Sequence, residues 1–548
     1  MKKRVLSLLL VMILVIGVFA GCGKKENAPA GNDTNKTADA NNDNNDDTNA
    51  DVEEEVKLLH VYKEKYSDSE GAVVNDNWLN YARMYYEKLK LTKEDAEKYA
   101  ALAKGLEDYG NEIGGLVEET YNDCKEFAKD DMAQGATLEY GEYFIERYMN
   151  VCRADEHVLS AHSTFSSYTG GAHGYGADYP VNFDVETGKR LEFKDVVKDL
   201  DAMYKLVEEK VREQYADSLD MFFNFESEDP FADFKSGEYE QAFLIDYDGI
   251  NVIYNPYDIA AYAAGQQVIK IPFKGNENLF EEKYFTDVPE SYVIEISENG
   301  DFTIDLDGDG TEETVSLWSE YDMDSYQLNA ICFYINNNEY KFENDTTEEY
   351  LDSFEGRVFI FKTKEGKVFC YYLGRGCNDY ETIAVFEIKK DGISAPKFFY
   401  GGLKYPDVIE DGSDNIVWAE GCITDMEHME FDTRTDIFGT TSVYKTYHLG
   451  ADGMPETNDE YWAFVSKVSY KVLKSIKVEI IDEAGNKTGE RELAAGEEVT
   501  PYRTDNESIL DMKDKDGNIL RVKVTNEWPY EIDGVEMQEI FENIIYAG

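Results

Sequence analysis

Basic side chains are scarce in this chain of 548 residues, with 53 Lys and Arg against 113 Asp and Glu and a net charge of -60. A phosphate backbone is held by a basic footprint, so nucleic acid is excluded as a partner. Neutral ligands, cationic proteins and divalent metals remain, on a well-solvated acidic surface. No Cys-x-x-Cys pair occurs among the seven cysteines, which argues against zinc ribbons and thioredoxin-like chemistry. Histidine is rare too, at six residues, and no His-Glu-x-x-His helix, phosphate loop or Gly-x-Ser-x-Gly elbow is present. Residues 23–55 hold one large aliphatic residue, Val52, and no aromatic. Such a segment buries too little surface to offset its ordering entropy and reads as a disordered tether.

What precedes the tether is an export signal. Lys2, Lys3 and Arg4 lead into an apolar run from Val5 to Ala20, too short and too N-terminal for an ordinary membrane span. Its end, Phe19-Ala20-Gly21-Cys22, resembles the bacterial lipobox, with Phe19 in place of the usual Leu. The resemblance implies removal of residues 1–21 and lipid attachment at Cys22, which would anchor the protein on the outer face of the membrane. A flexible coil of ~30 residues spans roughly 30 Å, which keeps the folded part near that membrane. The other six cysteines stand outside the cytoplasm, where disulfides and buried thiols are both open.

Composition shifts divide the rest into three expected regions: 56–285, 286–473 and 474–548. In the first, "NWLNYARMYYEKLKL" and "TKEDAEKYAALAKGLEDY" show helical spacing, with Thr92 placed to cap the second. "EYFIERYMNV", "HVLSAHSTFSSY" and "PVNFDVETGKRLEF" read as strands, before a helix at "KDVVKDLDAMYKLVEEKVREQY". This is an α+β module. The second region is short strands and polar turns, an all-β domain that is hairpin-rich or propeller-like. The third suggests a small SH3-like β domain.

Three histidines crowd "HVLSAHSTFSSYTGGAHGYG". His157 and His162 are five apart, on opposite faces of a strand or about 140° apart on a helix, so no regular element lets them clamp one metal. His173 follows Gly170-Gly171-Ala172, where a backbone turns, and the three read first as strand and turn residues.

From here the sequence resembles a family: the exported domain shared by lysozyme-sensing anti-sigma factors of the RsiV type and peptidoglycan deacetylases of the PdaC type. Tyr168, Gly170, Gly171, Ala172 and His173 match its Tyr-x-Gly-Gly-Ala-His turn, and Thr187-Gly188-Lys189 match a second turn. "GINVIYNPYDIAAYAAGQQVIKIPF" is similar to its closing segment through Tyr254, Tyr257, Tyr262, Gly265 and Pro272. The resemblance covers about Thr137 to Phe273. Neither the deacetylase metal motif nor a sigma-binding segment accompanies it, so those activities do not carry over. It implies an envelope module that meets lysozyme or wall glycan.

"DLDGDGTEE" is the other chemical motif. Calcium takes six to eight oxygens, and Asp305, Asp307, Asp309 and Glu313 stand at loop positions 1, 3, 5 and 9, with the Thr311 carbonyl at 7. Position 12 is Ser316 rather than Glu and strand-like segments flank the loop, so it is similar to the calcium loops of propeller repeats rather than to an EF-hand. A structural Ca2+ is the expectation.

Ser442-Val443-Tyr444-Lys445, Ser413-Asp414-Asn415 and Lys487-Thr488-Gly489 imitate the motifs of penicillin-recognising serine enzymes. Their order is wrong, and the nucleophile would sit on a strand rather than open a helix, so chance explains them. The reading is a non-enzymatic, lipid-anchored envelope protein that binds an extracellular ligand. A wall-modifying enzyme and a structural scaffold lipoprotein are the alternatives.

Overall fold

A computed structural model describes residues 56–74, 77–134, 142–225, 229–322, 325, 327–345, 350–351, 353, 355–376, 381–404 and 416–547. Cys22 with the expected signal and tether, Cys377 and Ser413-Asp414-Asn415 lie outside the described residues. Residues Phe231–Glu240 group apart from the main unit, Val56–Pro230 with Gln241–Gly548. By themselves they hold one short helix, Ala232–Ser236, ended by Gly237 at a φ of 78°.

The main unit opens with two long strands, β1 (Val61–Val74) and β2 (Asn77–Leu91), paired antiparallel from Val61↔Leu91 to Val74↔Asn77. The helix expected over "NWLNYARMYYEKLKL" is therefore a strand. Its apolar residues satisfy both periods, and pairing decides: Ala82, Met84 and Tyr86 alternate into the core, and Tyr66 stacks on Tyr86 at 4.8 Å. Two helices follow, α1 (Lys93–Lys98) and α2 (Ala100–Ala133). Thr92 precedes α1 as expected, but its side chain makes no capping bond.

Leu102, Leu106, Ile113, Val117, Tyr121, Cys124 and Ala128 form the buried stripe of α2 at helical spacing. Gly110 and Gly114 let it settle on β2, since a Cβ at Gly110 would meet the Lys88 side chain at 2.9 Å and one at Gly114 the Tyr86 hydroxyl at 3.0 Å. The helix is the crossover that lets β3 (Tyr143–Ala154) pair parallel with β2. β4 (Val158–Tyr168) then returns antiparallel to β3 and carries β5 (Tyr175–Asp178) and β6 (Val181–Asp184).

The single helix expected after "GKRLEF" is two. α3 (Phe193–Val196) starts with a capping box between Glu192 and Asp195, and α4 (Leu200–Gln214) is capped by Asp199, whose carboxylate accepts from Ala202 N at 3.0 Å. A three-stranded sheet closes this module: β7 (Ala242–Ile245), β8 (Gly249–Tyr254) and β9 (Gln267–Pro272).

The remainder is β-rich, as expected. A four-stranded meander, 301–343, and a six-stranded sheet that begins at Tyr292–Ile296 share one core that includes Phe302, Val315, Phe333, Ile360, Tyr372 and Phe386. This is hairpin-rich packing of sheet on sheet, and no radial blades form among the described residues. The C-terminal strands between 476 and 523 join strands from 402–464 in an eleven-stranded sheet, and no barrel closes among the described residues.

Pairing also crosses the boundaries expected from composition. Ile416–Gly421 adds to the free edge of β1, with Tyr62 opposite Gly421, and that eleven-stranded sheet spans residue 473. Cys124, Cys152, Cys332, Cys370 and Cys422 are unpaired thiols, and burial pushes those of Cys124, Cys152 and Cys422 up to about 12. No helix among the described residues is long and apolar enough to cross a membrane.

Candidate functional site: an exposed ring stack and an acidic loop

β4 ends at Tyr168 because Gly170 and Gly171 follow at φ values of 91° and 105°, where side chains strain the backbone. Gly170 has a second reason to be glycine, since a Cβ there would meet the Tyr143 hydroxyl at 2.6 Å. Tyr168 packs edge-on against Tyr143 at 5.4 Å, and its hydroxyl donates to the Gly171 carbonyl at 3.0 Å. The turn is thereby held from below, while Ala172 and His173 stay exposed.

His173 stacks on Tyr262 at 4.8 Å, and Tyr262 lies 5.6 Å from Tyr257. Tyr257 is 56% exposed and Tyr262 38%. Two segments far apart in sequence thus build one outward-facing row of three rings. Asn255 joins them: it accepts from Asp178 N at 2.8 Å and donates to the Asp178 carbonyl at 2.9 Å, pairing its amide with β5. Asp258 tightens the same loop by accepting from Asn255 N at 2.7 Å, and burial pushes its carboxyl up to about 6. Tyr257 itself has a φ of 79°, a conformation that bulky residues avoid.

Beneath the row, His162 Nε2 lies 2.8 Å from Asp178 Oδ2. Burial pulls His162 down, but the Asp178 charge and hydrogen bond carry it above its ordinary value. His157 is not part of this site; it sits at the β3–β4 turn, where its backbone N donates to Asp155. Of the closing segment, Tyr254 is fully buried, Gly265 turns the chain at a φ of 69°, and Pro272 ends β9. The second turn, Thr187-Gly188-Lys189, packs Gly188 directly against the backbone at Ala101, near the start of α2.

The acidic loop joins Asp301–Ile304 to Glu313–Tyr321. Oxygens of Asp305, Asp307 and Glu313 lie within 4.8 Å of one another. Asp305 accepts from Gly308 N at 2.8 Å and from Gly310 N at 3.0 Å, which wraps the loop around its carboxylate. Asp309 lies outside that group of three and accepts from Thr311 N at 2.7 Å. Lys390 enters from outside the motif: its ammonium reaches Asp307 at 2.7 Å, Glu313 at 2.9 Å and Asp309 at 3.3 Å. It stands far beyond Glu313 in sequence, in a polar turn, and carries no local signal of that role. Its neighbours hold it above the ordinary lysine range, and in this arrangement it supplies the positive charge a metal would bring.

Comparison with known proteins finds a match for one segment of the chain. Residues 193–274 match the model described as "Protein of unknown function (DUF3298)". A DUF3298 domain occupies that segment. It spans α3 to β9 and contributes Tyr257 and Tyr262 to the ring row, while the Gly-Gly-Ala-His turn lies before it. A solved DUF3298 family member from Bacteroides fragilis is 19% identical with a TM-score of 0.31, covering 41% of this chain and 96% of its own. One from Pseudomonas aeruginosa PAO1 is 15% identical with a TM-score of 0.29, at the same two coverages. No curated protein matches the chain.

Proposed function

We propose that this protein is a non-enzymatic envelope lipoprotein, anchored through Cys22 and held by the 22–55 tether, whose α+β module binds a cationic, wall-attacking protein such as lysozyme. The observation that carries the reading is the exposed row His173–Tyr262–Tyr257. Tyrosines give large contact area at small entropic cost, and exposed rings on a rigid support are typical binding anchors. A net charge of -60 speeds encounter with a basic partner by long-range attraction. Wall glycan is the second ligand that flat rings suit, since a sugar face stacks on them without needing charge.

Calcium belongs to the same proposal as a structural ion. Asp305, Asp307 and Glu313 would hold it, with Asp309 and the Thr311 carbonyl drawn in, at the position that the Lys390 ammonium shares. Oxygen donors of this kind suit a hard cation.

The test is a titration of the full chain with lysozyme and with an unrelated basic protein of similar size, at about 0.15 M salt, where the Debye length is about 8 Å. Binding to lysozyme should persist there, exceed that of the control protein, and weaken about tenfold or more in the charge-neutral Tyr257→Ala/Tyr262→Ala variant. Equal binding to both proteins, erased by salt and indifferent to the two tyrosines, would leave only the acidic surface at work and favour the glycan or scaffold readings.

A further inference from the structure

Two of the six histidines meet well away in sequence from the ring row. His60 stands just before β1 and His428 lies in the turn after Ile416–Gly421, yet their ring centroids are 5.2 Å apart with planes at 71°. Backbone and hydroxyl bonds fix the encounter. Cys422 N donates to the Val61 carbonyl at 3.1 Å, and Thr424 Oγ1 to the Leu59 carbonyl at 2.6 Å, so residues 422–424 are strapped alongside 59–61.

A carboxylate orients the first ring. Asp95 Oδ2 accepts the His60 backbone N–H at 2.7 Å and lies 3.1 Å from His60 Nδ1. A neutral imidazole so placed carries its proton on Nδ1 and leaves a lone pair on Nε2. That Nε2 is shielded from solvent, has no hydrogen-bond partner, and faces Asp425 Oδ2 at 3.9 Å. The other Asp425 oxygen is occupied by its own turn, accepting from Glu427 N at 2.8 Å. In the neutral form a lone pair and a carboxylate oxygen therefore face one another, an arrangement that either a metal cation or a proton relieves.

We propose that His60 Nε2, a ring nitrogen of His428 and the Asp425 carboxylate bind a first-row divalent metal of the zinc class, with Asp95 as the positioning residue. Metal-bound histidines characteristically give their second ring nitrogen to a carboxylate, as His60 does to Asp95. With metal–nitrogen bonds of about 2.1 Å, two imidazoles on a tetrahedral ion place their ring centroids about 5 Å apart, a spacing the two rings already have, although the His428 nitrogens do not yet converge with His60 Nε2 and the Asp425 carboxylate. His428 is exposed, so its ring can turn to present a nitrogen. Two imidazoles and one carboxylate favour zinc, cobalt or nickel over calcium, which separates this site from the all-oxygen loop at 305–313. Three protein donors leave a fourth position to water. A metal here would clip the beginning of β1, close to the end of the tether, to α1 and to the 422–428 segment.

The experiment uses the full chain in detergent, without a polyhistidine tag and with excess calcium to saturate oxygen sites. Titration with Co2+ should give a visible absorption band of nitrogen–oxygen ligation, displaced by one equivalent of Zn2+. The His60→Gln/His428→Gln variant should lose that band and bind Zn2+ at least a hundredfold more weakly, and Asp95→Asn should bind it about 10- to 100-fold more weakly. Circular dichroism of the metal-free variants checks their fold. Because a variant can fail to fold, Zn2+ protection of the His60 and His428 ring C–H groups from deuterium exchange is measured on the unaltered chain as well. No Co2+ band, Zn2+ binding indifferent to both histidines, or unprotected rings would overturn the site and leave a proton as the only occupant of Nε2.

Discussion

Lys63 Nζ donates to the Glu295 carboxylate at 2.9 Å, with both side chains buried and the two residues far apart in sequence. The pair ties β1 to Tyr292–Ile296. Arg357 shares the same carboxylate, Nε at 2.9 Å and an Nη at 2.6 Å, and Val151 N donates to its other oxygen at 3.2 Å. Burial alone would raise the Glu295 carboxyl, but Arg357 and Lys63 hold it below the ordinary glutamate range. Glu295→Ala removes the shared carboxylate and leaves Lys63 that of Glu87 at 3.5 Å and Arg357 that of Glu420 at 3.4 Å, so it should cost up to about 3 kcal/mol, read as a lower urea midpoint. A midpoint within error of the parent would show that the cluster is not coupled to folding.

The pair His162–Asp178 should make stability depend on pH in a defined window. His162 is raised, so its contribution is complete below about pH 6.5 and disappears as pH climbs through its folded value. Asp178 is lowered: burial opposes this, but the His162 charge outweighs it. Its contribution is present above about pH 3.9 and is lost as pH falls through its folded value. The stability difference between parent and His162→Gln should be largest between those limits and shrink on the alkaline side. A difference that stays flat from about pH 5 to 9 contradicts this.

Gly188 and Gly171 make a matched comparison. Gly188 has a φ of 65° and its missing Cβ points into the Ala101 backbone, whereas Gly171 has a φ of 105° and open space around it. Gly188→Ala should therefore destabilise by well over ~1 kcal/mol, since both backbone and helix must shift, and Gly171→Ala by less. Chemical denaturation of the two variants side by side decides the order.

Lys390 should compete with calcium. If the loop takes the ion, calcium at a hundred times its dissociation constant stabilises the fold by about 2.7 kcal/mol, and chelator reverses the gain. Asp307→Ala should abolish that response, and Lys390→Met, which removes the resident ammonium, should tighten calcium several-fold. Melting curves with and without chelator report both, and a parent indifferent to calcium rules the ion out.

Cys22→Ser should stop incorporation of a labelled fatty acid and shift the protein between membrane and medium. Unchanged labelling of that variant would remove the proposed anchor.

Local chemistry made much of this protein legible in sequence. Gly170-Gly171 and Thr187-Gly188-Lys189 are turns because of backbone sterics, "DLDGDGTEE" folds around Asp305 because short carboxylates accept from their own loop N–H groups, and the alternating segments after 290 are strands. The α+β module followed by β-rich sheets came from that same periodicity. Tertiary structure alone decided that "NWLNYARMYYEKLKL" is a strand, because its apolar residues fit either period and only β1, β3 and the glycine face of α2 select one. It also decided which residues meet. Tyr257 and Tyr262 reach His173 through the Asn255 bridge, Lys390 enters the acidic loop from a distant turn, and His60 near the start of the folded chain finds His428 near its last quarter. Such encounters depend on strand pairing between distant segments, and pairing energy is spread over whole strands, so no single residue announces its partner.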